Sequence, residues 1–234
     1  MGGGILALAS FVFGLAGFGL GLVALSLLPF LMPPTTAVPL ISVYSTAFAL
    51  VMAVQLRRDI VSSRLTALLC GALVGTPVGV WVLASLPANW LRRLIGLTLI
   101  GVVILEWRGL YPRKVSGRHW GISAGILSGL LGGAVGAPGP PVVLYAAAQG
   151  WSPRAMKATL LGFFFANQMI TLVGQWWAGL LTAEVAGLAL IFAPPAVVGL
   201  ALGMHLFNAV DHARVRQLVF ALLFVLGLTL CLRG

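Results

Sequence analysis

The stretch GLLGGAVGAPGPPVVLY, residues 129–145, decides the fold because it combines an apolar character with the residues that interrupt helices. It holds no charged residue, yet it contains five glycines and three prolines. Glycine loosens a helix, and proline removes a backbone N–H and clashes with the preceding turn. In lipid, an interrupted backbone is tolerated only where protein or a water-filled cavity surrounds it. The stretch therefore predicts a helix break enclosed by other membrane elements.

The composition of the whole chain is that of a polytopic membrane protein. Of its 234 residues, 60% are hydrophobic and 8% are charged, and the mean hydropathy is +1.09. The formal net charge of +10 is explained by basic residues in short loops, which hold the cytoplasmic face of membrane proteins. No basic patch is interleaved with aromatic residues, so we expect the lipid bilayer, and not nucleic acid, as a partner.

The sequence offers no catalytic or metal-binding motif. Cys70 and Cys231 lie in separate apolar runs, which supports neither a disulfide framework nor a metal site. The sequence also contains no Ser/His/Asp set, no metal-ligand spacing and no phosphate-binding loop. We therefore expect no metal, no cofactor and no enzymatic activity.

Apolar segments of membrane length follow one another along the whole chain. Crossing about 30 Å of hydrocarbon takes roughly 20 residues of helix. Polar or proline-containing breaks separate the segments, and the longest hydrophilic break is the linker RGLYPRKVSGRH. Eight segments result, at about 2–31, 36–56, 65–86, 90–107, 119–150, 155–178, 183–207 and 213–232.

An internal repeat relates the first four segments to the last four. GLAGFGLGLVALSLLPFLMPP, which begins at Gly14, resembles the stretch from Gly129 in its glycine-rich break, apolar run and following proline. GALVGTPVG from Gly71 likewise resembles PPAVVGLALG from Pro194. The repeat predicts an all-α fold of two four-element copies, residues 1–112 and 113–234, which together form one membrane domain.

The distribution of basic residues indicates how the two copies are oriented. If all eight segments cross the membrane, the fourteen Lys and Arg residues divide eight against six between the two sides. If segments 1 and 5 enter and return on the same side, only Arg92, Arg93 and Arg233 oppose the other eleven. The second arrangement gives the positive-inside asymmetry and makes the copies inverted, a common plan of transporters. The first arm of segment 5 is nearly long enough to span, so a kinked full crossing stays open beside the re-entrant hairpin.

Two motifs resemble the TauE/SafE family of sulfite and organosulfonate exporters, also called the toluenesulfonate uptake permease family. They are SFVFGLAGFGLGLVAL at residues 10–25 and SGLLGGAVGAPGPPVVLY at residues 128–145, within a doubled four-segment plan that covers nearly the whole chain. The resemblance implies a transporter of small, mainly sulfur-containing anions in the bacterial inner membrane. It implies a class of substrate and does not name one.

The two glycine-rich breaks are the candidate binding site for a small anionic substrate. A broken helix exposes unpaired N–H groups and the positive end of a helix dipole, which bind anions without a buried cation. The alternative is that each break is a kink that fits its neighbours. The candidate residues are Gly17, Phe18, Gly19 and Gly21 in segment 1, and Gly133, Gly136, Pro138, Gly139 and Pro140 in segment 5.

Polar side chains inside the segments are few. Asn167 in segment 6 is the most informative, because an amide in the middle of a membrane needs partners. It serves either anion contact or an interhelical hydrogen bond. Ser42 and Ser45 in segment 2 are further candidates, although a serine on a membrane helix often bonds its own backbone. The carboxylates all fall at segment ends, where no proton relay would place them: Asp59, Glu106, Glu184 and Asp211.

The sequence predicts a secondary transporter that exports a small sulfur-containing anion by rocking of the two copies. An anion channel and a membrane assembly factor without cargo are the alternatives. The identity of the anion, the direction of transport, the coupling ion and the oligomeric state, a homodimer included, stay open.

The inverted arrangement predicts opposite exposure for two matching arginines. Arg93 and Arg216 occupy equivalent positions in the two copies. We expect cysteines introduced by Arg93→Cys and Arg216→Cys to react with a membrane-impermeant reagent from outside and from inside, respectively. Reaction of both from one side would contradict the hairpins and restore eight plain crossings.

Overall fold

The computed structural model describes residues 1–16, 19–56, 59, 61–109, 117–206 and 212–233. Its regular elements are helices, and no strand occurs in these ranges. The all-α fold class predicted from the sequence is confirmed. The helices are α1 Gly2–Ala16, α2 Leu20–Leu27, α3 Pro34–Leu56, α4 Ser62–Ser85, α5 Ala88–Trp107, α6 Arg118–Val135, α7 Gly139–Ala147, α8 Pro153–Trp177, α9 Ala183–Ile191, α10 Ala193–His205 and α11 His212–Arg233.

Segments 1 and 5 are both broken, at the glycines that the sequence singles out. In segment 1, α1 ends at Ala16 and α2 begins at Leu20, preceded by Gly19 with φ +97°. In segment 5, α6 is terminated by Gly136 with φ +67°. Both angles lie in the left-handed region that glycine adopts without strain. Gly17 and Phe18 lie outside the described residues.

Segment 7 departs from the sequence prediction, which treats 183–207 as one segment. The structure divides it into α9 and α10, which are bent by 52° at Phe192. The physical reason is the pair Pro194 and Pro195 in the first turn of α10. Neither residue has an N–H to donate to the preceding turn, so the helix cannot run straight through them.

Four helices in the described ranges are long and apolar enough to cross a membrane. They are α3, α4, α5 and α8, and the bent pair of α9 and α10 becomes a fifth if it counts as one span. The chain is therefore a multi-pass membrane protein. Two of these helices, α4 and α8, pack against each other.

The helices pack into two compact units, and each unit draws on both predicted copies. The first unit comprises Met1–Ile41, Leu86–Gly109 and Thr182–Gly234, and the second comprises Ser42–Ser85 and Leu110–Leu181. The packing units therefore differ from the copies 1–112 and 113–234. Those boundaries describe a sequence repeat, which stays a prediction.

Glycines bring α4 and α6 into backbone contact in the second unit. A Cβ built on Gly133 would lie 2.6 Å from the carbonyl oxygen of Thr76 and 2.7 Å from the nitrogen of Val80. Cβ atoms on Gly75 and Gly125 would likewise collide with the facing backbone. Small residues at intervals of four allow this approach, in which van der Waals contact holds membrane helices together.

The same packing recurs in the first unit, between α1 and α10. A Cβ on Gly14 would lie 2.7 Å from the carbonyl oxygen of Leu200 and 2.9 Å from the nitrogen of Met204. Gly203 faces the backbone of α1 in return. The contacted atoms stand four residues apart on α10, as they do on α4. One packing geometry thus joins segment 1 to segment 7 and segment 5 to segment 3.

The close approach predicts a clear contrast between two glycine substitutions. Gly75→Ala places a methyl group against the carbonyl of Ile126, and we expect a loss of about 1–3 kcal/mol in stability from the overpacking. Gly101→Ala is the matched control, because a Cβ there meets nothing within 4 Å. Its helix should gain up to about 1 kcal/mol. Thermal unfolding of the purified variants measures both, and equal melting temperatures would contradict the packing argument.

Candidate functional site

The break between α6 and α7 is shaped by a regular helix stop. The N–H of Gly136 bonds to the carbonyl of Gly132 at 3.0 Å, and the N–H of Ala137 bonds to the carbonyl of Leu131 at 3.2 Å. The first bond, from a left-handed glycine to a residue four positions earlier, is that of the αL helix stop, and both bonds satisfy carbonyls that the end of a helix would leave free. Ser128 adds a hydroxyl bond to the carbonyl of Pro138. The break is thus well paired on its carbonyl side.

The N-terminus of α7 supplies few backbone donors to the break. The helix begins at Gly139, and Pro140 and Pro141 follow directly. Proline has no N–H, so Gly139 alone donates in the first three positions. An anion at this break consequently needs side-chain donors in addition to the helix dipole.

Asn167 of α8 provides such a donor. Its side chain is fully buried, and Thr76 of α4 donates a hydrogen bond to its Oδ1 at 2.9 Å. The amide nitrogen Nδ2 faces the break: a Cβ on Gly132 would lie 3.0 Å from Nδ2 and 3.1 Å from Cβ of Pro138. Within the described part of the chain, Nδ2 has no hydrogen-bond partner.

The sequence suggests two roles for Asn167, an interhelical hydrogen bond and contact with an anion, and the half-paired amide agrees with part of each. Oδ1 takes part in an interhelical hydrogen bond, which is the structural role. Nδ2 is a buried donor that lacks an acceptor, and such a group costs about 1–3 kcal/mol when it stays unpaired. Nearly all buried polar groups in proteins have a partner. An acceptor from outside the chain, an anion or a water molecule, would supply the missing bond.

A hydroxyl group of α3 is bonded to α8 beyond Asn167. Gln175 donates from Nε2 to Oγ of Ser42 at 3.1 Å, and both residues are fully buried. Ser45 is partly buried on the same helix as Ser42. Gln175 lies eight residues from Asn167, which is about 12 Å along a helix. Ser42 of α3 therefore contacts the polar face of α8 about two turns away from Asn167.

The break in segment 1 has a different chemistry. The first intrahelical bond of α2 runs from the N–H of Val23 to the carbonyl of Gly19 at 3.0 Å. The N–H groups of Leu20, Gly21 and Leu22 precede it and have no acceptor within the helix. All three residues are buried. This half-helix offers the backbone donors that prolines remove from α7.

Charged side chains lie at segment ends in the described ranges. Asp59 forms an ion pair with Arg154 at 2.9 Å, next to the start of α4 and of α8. Glu184 lies in the first turn of α9. The break beside Asn167 has neutral side chains around it: Thr76, Ser128 and Pro138.

Two residues of this arrangement are missing from the sequence-based site. Thr76 is a buried hydroxyl directly before Pro77 in a membrane helix, a signal that marks it as unusual. Its bond to Asn167 joins residues 91 positions apart, which no local pattern reveals. Ser128 opens the second motif, and its bond across the break depends on how α6 and α7 are bent.

A family model and a curated relative both match this chain over most of its length. The family model described as "Sulfite exporter TauE/SafE" matches residues 3–230. A protein of Cupriavidus necator, named "Probable sulfite/organosulfonate exporter TauE", is 26% identical over 222 residues. The match covers 92% of this chain and 87% of that protein. No solved structure shows a significant match.

The bond from Thr76 to Asn167 predicts a specific stability difference. Thr76→Val leaves Oδ1 of Asn167 buried without its donor, and we expect a loss of about 1–3 kcal/mol. Thr76→Ser keeps the hydroxyl and should recover most of it. Thr98→Val is the control, because that hydroxyl bonds only to Leu94 of its own helix. Thermal unfolding compares them, and equal losses in both valine variants would show that the interhelical bond contributes nothing specific.

Proposed function

The chain belongs to the sulfite exporter TauE/SafE family, and from this premise we propose that it is a secondary transporter. Its substrate is a small sulfur oxyanion, sulfite or an organosulfonate, which it exports across the bacterial inner membrane. The name of the Cupriavidus necator relative supports this substrate class. The protein acts as a carrier without a cofactor.

The observation that carries the proposal is the buried Nδ2 of Asn167, unpaired beside a helix break. An anion that enters the membrane must replace its hydration with fixed donors. Asn167 supplies one donor, Gly139 supplies a backbone N–H, and the dipole of α7 favours negative charge at that point. These groups are neutral, so they bind an anion weakly enough to release it again.

The repeated packing supports alternating access. Segment 1 packs on segment 7 and segment 5 packs on segment 3 through the same glycine geometry. We propose that these pairs are the inverted-repeat equivalents that the charge distribution predicts. In this arrangement rocking of one pair against its surroundings exposes the site first to one side of the membrane and then to the other.

Transport by the purified protein in liposomes tests the proposal. We expect saturable uptake of labelled sulfite or methanesulfonate, accelerated by the same anion on the opposite side. Asn167→Leu should weaken anion binding roughly 10- to 100-fold, since a hydrogen bond to a charged group contributes about 1.5–3 kcal/mol. Thr98→Val should bind as the unaltered protein does. Calorimetric titration of the folded proteins measures the affinities.

Three results would contradict parts of this proposal. Conductance without saturation would identify a channel. Absence of flux for every sulfur oxyanion, with folded protein in the liposomes, would leave a role without cargo. Unchanged affinity in Asn167→Leu would place the binding site away from the α6–α7 break.

A further inference from the structure

The buried face of α8 changes character halfway along the helix. Its first half buries Leu161, Phe163 and Phe164. Its second half buries polar residues that fall within one sector of about 100° at the angular step of an α-helix. They are Asn167, Gln168, Thr171 and Gln175, each at most 1% exposed. A polar strip thus runs inside the second unit, where α8 packs against α4, α6 and α7.

Gln168 differs from the other members of the strip. Asn167 and Gln175 each use one end of the amide in a hydrogen bond, and the hydroxyl of Thr171 donates to the carbonyl of Asn167 at 2.9 Å. In the part of the chain that the structure describes, neither Nε2 nor Oε1 of Gln168 has a partner. The side chain is 1% exposed. A buried amide that is unpaired at both ends carries the full desolvation cost of a donor and an acceptor.

The chemistry of this amide specifies its ligand. Nε2 needs an acceptor and Oε1 needs a donor, and the two atoms stand side by side on one planar group. A singly protonated oxyanion presents the matching pair, an anionic oxygen beside a hydroxyl. A sulfonate or a fully deprotonated oxyanion presents acceptors only, which leaves Oε1 unpaired. We propose that Gln168 is a specificity residue that selects a protonated sulfur oxyanion, hydrogensulfite, over acceptor-only anions of similar size.

This selection bears on how a proton crosses the membrane. The carboxylates at described positions lie at segment ends, so the strip offers no side chain that could relay a proton. With hydrogensulfite as the bound species, the proton travels as part of the substrate. Gln168 then fixes the protonation state of the cargo through a hydrogen bond, without titrating itself.

The test compares two anions of equal charge. It rests on the proposed function and uses the whole purified protein under nitrogen. Calorimetry measures the affinities for hydrogensulfite and for methanesulfonate, which lacks an O–H. We expect the unaltered protein to prefer hydrogensulfite and to bind total sulfite less tightly as the pH rises and hydrogensulfite loses its proton. Its affinity for methanesulfonate should not follow the pH in this way.

Substitution then assigns the preference to Gln168. Gln168→Leu and Gln168→Met remove both polar atoms while they keep most of the side-chain volume. Methanesulfonate loses one donor, whereas hydrogensulfite loses a donor and an acceptor. We expect the preference for hydrogensulfite to fall about 3- to 10-fold, the equivalent of one neutral hydrogen bond. Thr171→Val is the control on the same face, and its preference should equal that of the unaltered protein.

The outcomes separate this inference from the proposed function. If the unaltered protein binds neither anion, the proposed function fails. If it binds both but shows no preference for hydrogensulfite, the inference is overturned and the proposed function stands; this arm needs no substitution to fold. If the preference exists but survives in both Gln168 variants, the inference is also overturned. The amide is then only hydrated, and another residue distinguishes the protonated anion.

Discussion

An unpaired backbone or side-chain polar group costs several kilocalories per mole in hydrocarbon, and this constraint governs every feature of the chain. A helix can be broken inside a membrane only if the freed groups find partners or line a ligand path. At the α6–α7 break, the N–H groups of Gly136 and Ala137 and the hydroxyl of Ser128 satisfy carbonyls. Nδ2 of Asn167, which faces the break, is a donor without a partner among the described residues. The residual polarity of the break therefore favours an anion.

The same constraint requires that lipid be kept away from a broken segment, and close helix packing contributes to this. Glycine ladders let α4 approach α6, and α1 approach α10, until their backbones are in contact. Such packing excludes lipid from one side of each broken segment. The first-unit break has backbone N–H groups without an acceptor in their own helix, and the second-unit break has prolines and a side-chain amide. Two breaks that resemble each other in sequence thus differ in what they offer a ligand.

Segment positions are predictable from sequence because apolar length and glycine or proline punctuation are local properties. The breaks at Gly19 and Gly136 follow from the same signals. The division of segment 7 escapes this reasoning because Pro194 and Pro195 also suit the start of a helix, so they do not by themselves indicate an interruption. The pairing of Thr76 with Asn167 is set by tertiary packing between distant segments. The sequence indicates which polar residues are unusual, but not which of their atoms remain unpaired.

The first unit combines helices that are far apart in the sequence, and this has a consequence for biogenesis. α1 leaves the ribosome well before α10, yet its glycine-lined face packs against that later helix. At 5–20 residues per second, on the order of 10–40 s pass before that partner is made. During this interval α1 must rest against lipid, the insertion machinery or a temporary neighbour. The first unit can therefore close only after α10 has been synthesised, and a truncation before Ala193 would leave α1 without this contact.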